Sequence, residues 1–285
     1  MAVITTGFFD GVHLGHRQVL ETTLSAARKR GEEAIVITFW PHPRTVLQQD
    51  ARDFRLLSSL EEKKALLGSC GIDRVEVLPF SRSFAALRAD EYLRLLKDRF
   101  DASLVVMGYD NRIGCDKLTA GEICACGDLP EIVVAEELNS GVKISSTQIR
   151  RVISEGDVSG AREMLGYDYP LEGVVVAGNR VGRTIGFPTA NMQLYEPLKL
   201  LPGNGVYAVD VEVTGRRFRG MCNIGTRPTV GGAARTIETN IFDFDEDIYG
   251  LPIKTSFVRR IRDEKLFPSL DALREQLVRD RESCK

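Results

Sequence analysis

Residues Gly7 to His16, GFFDGVHLGH, follow the apolar run Ala2-Val3-Ile4-Thr5-Thr6 and precede a stretch that carries Leu20, Leu24 and Ala27 on one stripe. The run reads as a buried first strand and His16 to Arg30 as a helix. The histidines therefore fall in a strand-to-helix turn, where glycines let the backbone approach a ligand and the free N–H groups of a helix N-terminus favour a phosphate. His13 and His16, three residues apart, add donors or positive charge to the same anion, a spacing suited to a polyphosphate on which charge develops. A short glycine turn alone would be only a turn. The chain, however, has three histidines in all, His13, His16 and His42, and each lies in a turn rather than in a predicted helix interior.

Working outward, Ala34 to Phe39 is a second continuous apolar strand, and Ser59 to Leu67 a helix opened by a Ser59/Glu62 capping box. Arg74 to Leu78 reads as a strand, Asp90 to Phe100 as a helix, and Ser103 to Gly108 and Ile132 to Ala135 as further strands. Buried-type strands alternating with helices predict an α/β, Rossmann-like domain with a parallel sheet, whose ligands sit beyond the strands' carboxyl ends. The turns after the first, second and fourth strands are indeed chemically special: Gly7 to His16, Trp40-Pro41-His42-Pro43-Arg44, and Tyr109-Asp110-Asn111-Arg112-Ile113-Gly114. Further on, Lys143-Ile144-Ser145-Ser146-Thr147-Gln148-Ile149-Arg150-Arg151 predicts a helix to about Ser154, with Ser145 and Ser146 as caps. Hydroxyls, bare N–H groups and Arg150 can converge there on one anion, although capping alone explains the serines.

Composition shifts after Leu165, which places a boundary near Gly166–Pro170 and divides the chain into residues 1–167 and 168–285. Val174 to Ala177, Val206 to Val213, Phe218 to Ile224, Ile237 to Phe244 and Ile253 to Val258 are short strands between Gly or Pro turns. Val209, Val211 and Val213 alternate with polar residues, the period of a half-buried antiparallel strand. A small closed antiparallel β-barrel is the expected solution, followed by a terminal helix, Leu270 to Arg281, whose Leu270, Leu273 and Leu277 pack on it.

This second half carries Gly178 to Asn191, GNRVGRTIGFPTAN. Its glycines free the backbone for close approach, Arg180 and Arg183 supply charge, and Thr189 with Asn191 offers oxygens suited to Mg²⁺. A flexible glycine loop is the plainer reading, and the Walker ending is absent. In Thr236 to Phe244 a period of two puts Glu238 and Asn240 on the face of Phe242 and Phe244. A carboxylate there is either solvated at an edge or set in a site as a base.

Composition limits the partners. The chain has 43% hydrophobic and 27% charged residues, and its net charge of −2 offers no general attraction to nucleic acid or an anionic membrane, so small phosphorylated ligands are expected. With no membrane-length apolar run and no signal-peptide pattern, a cytoplasmic setting is expected. Of the six cysteines, Cys124-Ala-Cys126 lacks the further ligands of a structural zinc site, so reduced thiols are the expectation. Oligomeric state is left open, a homo-oligomer included.

GFFDGVHLGH resembles the HxGH signature of nucleotidyltransferases, specifically that of prokaryotic bifunctional riboflavin kinase/FMN adenylyltransferases, and later motifs extend the resemblance over nearly the whole chain. Thr38 to Arg44, TFWPHPR, is similar to TFxPHP, residues 144–150 to ISSTxIR, and residues 182–191 to GRxxGFPTAN. The resemblance implies ATP binding by Gly7, Phe8, Asp10, Gly15, Ser145, Ser146, Thr147 and Arg150 in the first domain. In the second it implies ATP binding by Gly178, Gly182, Arg183, Gly186, Pro188, Thr189 and Asn191, with Thr189 and Asn191 also holding Mg²⁺. It implies flavin contacts from His42, Pro43, Asp110, Asn111 and Arg262, and catalytic roles for His13, His16 and Glu238, the last as the kinase's base. Phe8 stands where the family has asparagine, and Asn111 and Ile113 where it has phenylalanine, departures that fall on flavin packing more than on phosphate chemistry. The implied function is two-step: riboflavin and ATP to FMN, then FMN and a second ATP to FAD and pyrophosphate. A kinase with a weakened adenylyltransferase, or a non-catalytic flavin and nucleotide binder, are the other readings.

Overall fold

The structure is a computed structural model that describes residues 1–47, 53–123, 129–136, 144–178, 181–229 and 232–284. Cys124, Cys126, Lys143, Asn179 and Arg180 lie outside the described residues. The chain divides into two compact units, Met1–Ser146 and Thr147–Lys285.

The first unit runs β1 (Ala2–Thr6), α1 (Leu14–Arg30), β2 (Glu33–Trp40), α2 (Pro43–Leu47), α3 (Leu60–Ser69), β3 (Arg74–Pro79), α4 (Arg82–Ala85), α5 (Ala89–Phe100), β4 (Ala102–Met107) and β5 (Glu131–Val134). The strands form one parallel sheet in the order β3-β2-β1-β4-β5. Both faces are covered, as the unbroken apolar strands require: Ile4, Ile35 and Val105 pack with Tyr92, Leu93 and Leu96 of α5, and Val3, Val36 and Val106 pack with Leu20 and Ala27 of α1 and Leu67 of α3. Because β1 is central and flanked by β2 and β4, the three special turns are neighbours at one edge of the sheet. Helix α1 starts at Leu14, two residues earlier than the apolar stripe suggests, because His13 is its N-cap: its Nδ1 accepts the His16 N–H at 3.2 Å. Ser59 forms the expected capping box with Glu62.

The second unit contains α6 (Ser146–Glu155), α7 (Val158–Leu165), β6 (Tyr169–Val176), α8 (Val181–Thr184), β7 (Ala190–Leu194), β8 (Gly205–Val213), β9 (Arg216–Thr229), β10 (Gly232–Ile241), β11 (Pro252–Arg262) and α9 (Leu270–Ser283). Its six strands close an antiparallel barrel in the order β10-β7-β6-β11-β8-β9. Val209, Val211 and Val213 point inward as their alternation predicts. Helix α7 packs on β6 and β11, which is why the helical residues before the composition break belong with the barrel in compactness.

Two local expectations are corrected. Residues Ala190–Leu194 form a strand rather than the end of a glycine loop, since β7 is paired on both sides, with β6 and β10; only Met192 of the five is buried, so no hydrophobic period announces it. Strand β10 stops at Ile241, and Asp243 adopts φ 54°. The period of two therefore ends before Phe244, which packs edge-on against Phe218 at 5.1 Å, whereas Phe242 stays in the core with Phe187, Val206 and Met221.

Candidate active sites

In the first unit the turn after β1 is tightly wound, with φ 52° at Phe9, 77° at Gly11 and 36° at Val12. Such values are costly for Phe and Val and persist where the surroundings over-determine them; both side chains are buried in the core beneath α1. The turn presents His13 and His16 as stacked rings, 3.5 Å between centroids and 15° between planes. Burial above all, then the neighbouring His13 and the Lys63 charge, hold His16 well below the usual histidine value, so its imidazole is neutral at physiological pH. Its Nδ1 is buried without a hydrogen-bond partner.

A cavity of about 250 Å³ opens over these rings. Gly7, Phe8, Gly15, Asp110, Asn111, Ser145 and Ser146 line it together with the two histidines, so residues from three separate stretches of the chain meet at the carboxyl edge of the sheet. The Ser146 hydroxyl donates to the Asp10 carbonyl at 3.2 Å. Asp10 itself turns away from the cavity: its buried carboxylate accepts the Leu57 and Ser58 N–H groups at 3.0 to 3.1 Å. Thr147 and Arg150 do not line the cavity; they lie in α6, in the second unit.

Beside this lies a cavity of about 570 Å³ that shares Gly7 and Asn111 with it. Its wall is aromatic, from Phe39, Phe80, Phe84 and Tyr92, with Arg82 and Arg112 also lining it. Sequence reading missed this wall, because its aromatics come from β2, the segment joining β3 to α4, α4 itself and α5, with no local motif to mark them. Ile113 is buried in the core, so the aromatic surface comes from these other residues. His42 and Pro43 line neither cavity; His42 packs against Phe8 at 3.9 Å and Phe54 at 4.3 Å.

In the barrel, a cavity of about 590 Å³ lies between the strands and α9. Phe187, Val206, Met221, Leu273 and Leu277 make it apolar, while Glu238, Asn240, Asn223 and Arg262 supply polar groups. A second cavity of about 300 Å³ is lined by Arg183, Pro188, Thr189 and residues 244–249. Thr189 lines both. Glu238 stands directly opposite Asn191 across the β10–β7 pair, where side chains of facing residues are about 5 Å apart. Asn240 Nδ2 donates to the Pro188 carbonyl at 2.7 Å and anchors the loop before Thr189. A Cβ at Gly178 would lie 2.3 Å from Asn191 Nδ2, and one at Gly182 would lie 2.1 Å from the Phe187 carbonyl oxygen, so both glycines are what allow this loop to fold onto β7. Gly186, at φ 82°, makes the turn into Phe187. The hydroxyl of Thr189 and the amide oxygen of Asn191 are donors of the kind a hard cation accepts.

A Rossmann-type unit with a histidine-lined cavity, followed by a closed barrel in which a carboxylate faces an asparagine and shares a cavity with Thr189, has the form of a nucleotide-dependent transferase. Residues 1–148 match the FAD synthetase family model and residues 165–285 the riboflavin kinase model. The bifunctional riboflavin kinase/FMN adenylyltransferases of Bacillus subtilis and Escherichia coli K12 are 36% and 37% identical to it, over 99% and 98% of this chain and 91% and 90% of theirs. The chain belongs to this bifunctional riboflavin kinase/FMN adenylyltransferase family, and it is a transferase of FAD biosynthesis acting on riboflavin, FMN and ATP. A crystal structure described as a macrolide-efflux protein from Streptococcus pneumoniae shares the fold, with TM-score 0.93 at 37% identity over 99% of this chain and 93% of that one. Among the described residues, no helix is long and apolar enough to cross a membrane.

Proposed function

We propose that residues 168–285 phosphorylate riboflavin and residues 1–167 adenylylate the FMN so formed, with the residue roles that follow. The family matches on either side of the proposed boundary support this division. The observation that carries the kinase reading is that Thr189 lines both barrel cavities while Glu238 faces Asn191. Riboflavin would fill the larger, apolar cavity beneath α9, and ATP the smaller one. Glu238 takes the proton from the terminal ribityl hydroxyl as its oxygen bonds to the γ-phosphorus, and the bond to the β–γ bridging oxygen breaks to release ADP. Thr189 and Asn191 would hold Mg²⁺, which, when bound, neutralises charge on the β- and γ-phosphates. Most of the rate comes from positioning, since little covalent chemistry falls to the protein.

In the first unit the FMN phosphate attacks the α-phosphorus of a second ATP and pyrophosphate leaves. That nucleophile is already an anion and needs no base. His13, His16, the amides of the turn, Ser145 and Ser146 act by stabilising charge. The aromatic cavity beside Gly7 has the size and character for an isoalloxazine ring, and Asn111, common to both cavities, stands between ring and phosphate. A cytoplasmic setting goes with free thiols at Cys70, Cys115, Cys222 and Cys284.

The test is a chromatographic time course with riboflavin, ATP and Mg²⁺. FMN should appear first and FAD second, and omission of Mg²⁺ should abolish both. Glu238→Gln should abolish FMN formation yet convert supplied FMN to FAD, and His16→Ala should do the reverse. Loss of both activities in either variant would refute the division of labour. FMN without FAD from the wild-type protein would favour a kinase with a weakened second site.

A further inference from the structure

Helix α3 lies behind the phosphate-binding turn and sends one side chain into it. Lys63 is 1% exposed, and its Nζ donates to the Phe8 carbonyl at 3.0 Å and to the Phe39 carbonyl at 3.4 Å. The same ammonium lies 3.8 Å from the centre of the Phe8 ring, whose edge meets His42. A few residues before it, Ser58 accepts the Gly11 N–H at 3.0 Å, and Leu57 and Ser58 bind the Asp10 carboxylate. The turn is thus held from behind at Phe8, Asp10 and Gly11 by one segment, residues 57–63, and Lys63 is the only cation in that set.

We propose that Lys63 is a positioning residue for adenylyl transfer: its buried ammonium fixes Phe8, and through it the backbone from Gly7 to His16, in the geometry that receives the phosphates. The proposal rests on reading the His13/His16 cavity as the adenylyltransferase site. Lys63 does not line that cavity, so it acts through the turn and on the field at His16, not by touching substrate. A buried lysine is a costly choice for mere packing. The segment could be anchored by an apolar side chain with less loss of hydration, whereas a cation supplies charge-assisted bonds to two carbonyls at once. The charged and titratable groups facing it are Asp10 and His16 of the turn and α1, and His42 across the Phe8 ring. Burial lowers the Lys63 pKa to about 8, with Asp10 opposing the shift. The ammonium is therefore mostly intact at neutral pH and is lost on mild alkalinisation.

The experiment compares wild type, Lys63→Met, Lys63→Arg and His16→Ala in the full chain, with FMN and ATP supplied and riboflavin phosphorylation followed in the same preparations. Lys63→Met should lose on the order of 10- to 100-fold in kcat for FAD formation, assayed at a temperature where its melting curve shows it folded, with kinase rates unchanged. Wild-type FAD formation should decline above about pH 8, while Lys63→Arg, which cannot discharge, stays flat. A kcat within twofold of wild type for folded Lys63→Met, or the same alkaline limb in wild type and Lys63→Arg, overturns the proposal. His16→Ala separates the two failures: full FAD formation by that variant refutes the site itself, whereas its inactivity beside an unaffected Lys63→Met refutes only the role of Lys63.

Discussion

His16 shows how burial sets the chemistry of a single side chain. Its folded pKa lies below the unfolded value of 6.5, so in that window the unfolded chain binds the extra proton. Stability from this group is complete above about pH 6.5 and is lost as pH falls toward the folded value, by up to about 1.4 kcal/mol per pH unit. Thermal unfolding of the full chain from pH 7 to pH 5 should therefore show the first unit of the wild-type protein losing stability more steeply than that of His16→Gln; parallel slopes would assign the acid sensitivity to other groups. At this scale the histidines were legible, because the three in 285 residues all fell in or just beside turns, His16 in the first turn of α1. Lys63 was not. It sits in Glu61-Glu62-Lys63-Lys64, a charge run in which Glu62 is drawn in by its capping box with Ser59, whereas only the depth of the turn behind the helix takes Lys63 inside.

Among the elements, α9 owes its place to more than its leucines. Arg262 of β11 makes a forked ion pair with Asp280, with bonds of 2.7 to 3.0 Å, and Gln276 also donates to that carboxylate. Asp280 is 1% exposed and Arg262 lines the cavity with Glu238. Removing one partner of such a pair strands the other charge, so Asp280→Ala should cost about 3–5 kcal/mol in denaturant unfolding of the barrel. Because Arg262 and α9 both wall the proposed flavin cavity, the same variant should raise the KM for riboflavin and leave conversion of FMN to FAD intact; an unchanged KM would make the pair purely structural. The terminal helix was readable from its leucine spacing, although Leu270 is 54% exposed and Leu277 is the leucine that packs on the barrel core, and β8 was readable from its alternating valines. Strand β7 was not, since its residues serve a loop motif and its place comes from two partners more than 40 and 10 residues distant.

For the whole molecule, one proposed site in each of two compact units implies that each can be lost alone. An equimolar mixture of Glu238→Gln and His16→Ala, neither able to make FAD from riboflavin, should make it together as FMN passes from one to the other; a mixture that stays at FMN would mean that the intermediate is not shared between molecules. From its residues alone the chain determined most of its strands and its longer helices, the parallel sheet and barrel, and the motifs to which we assign phosphate chemistry, because hydrophobic period and turn chemistry are local and act within a few residues. What only the tertiary structure decided is which distant groups share a cavity. The aromatic wall beside Gly7, the Glu238–Asn191 apposition and the burial of Asp10 and Lys63 depend on sheet order and strand register, which bring together side chains that no spacing along the chain relates.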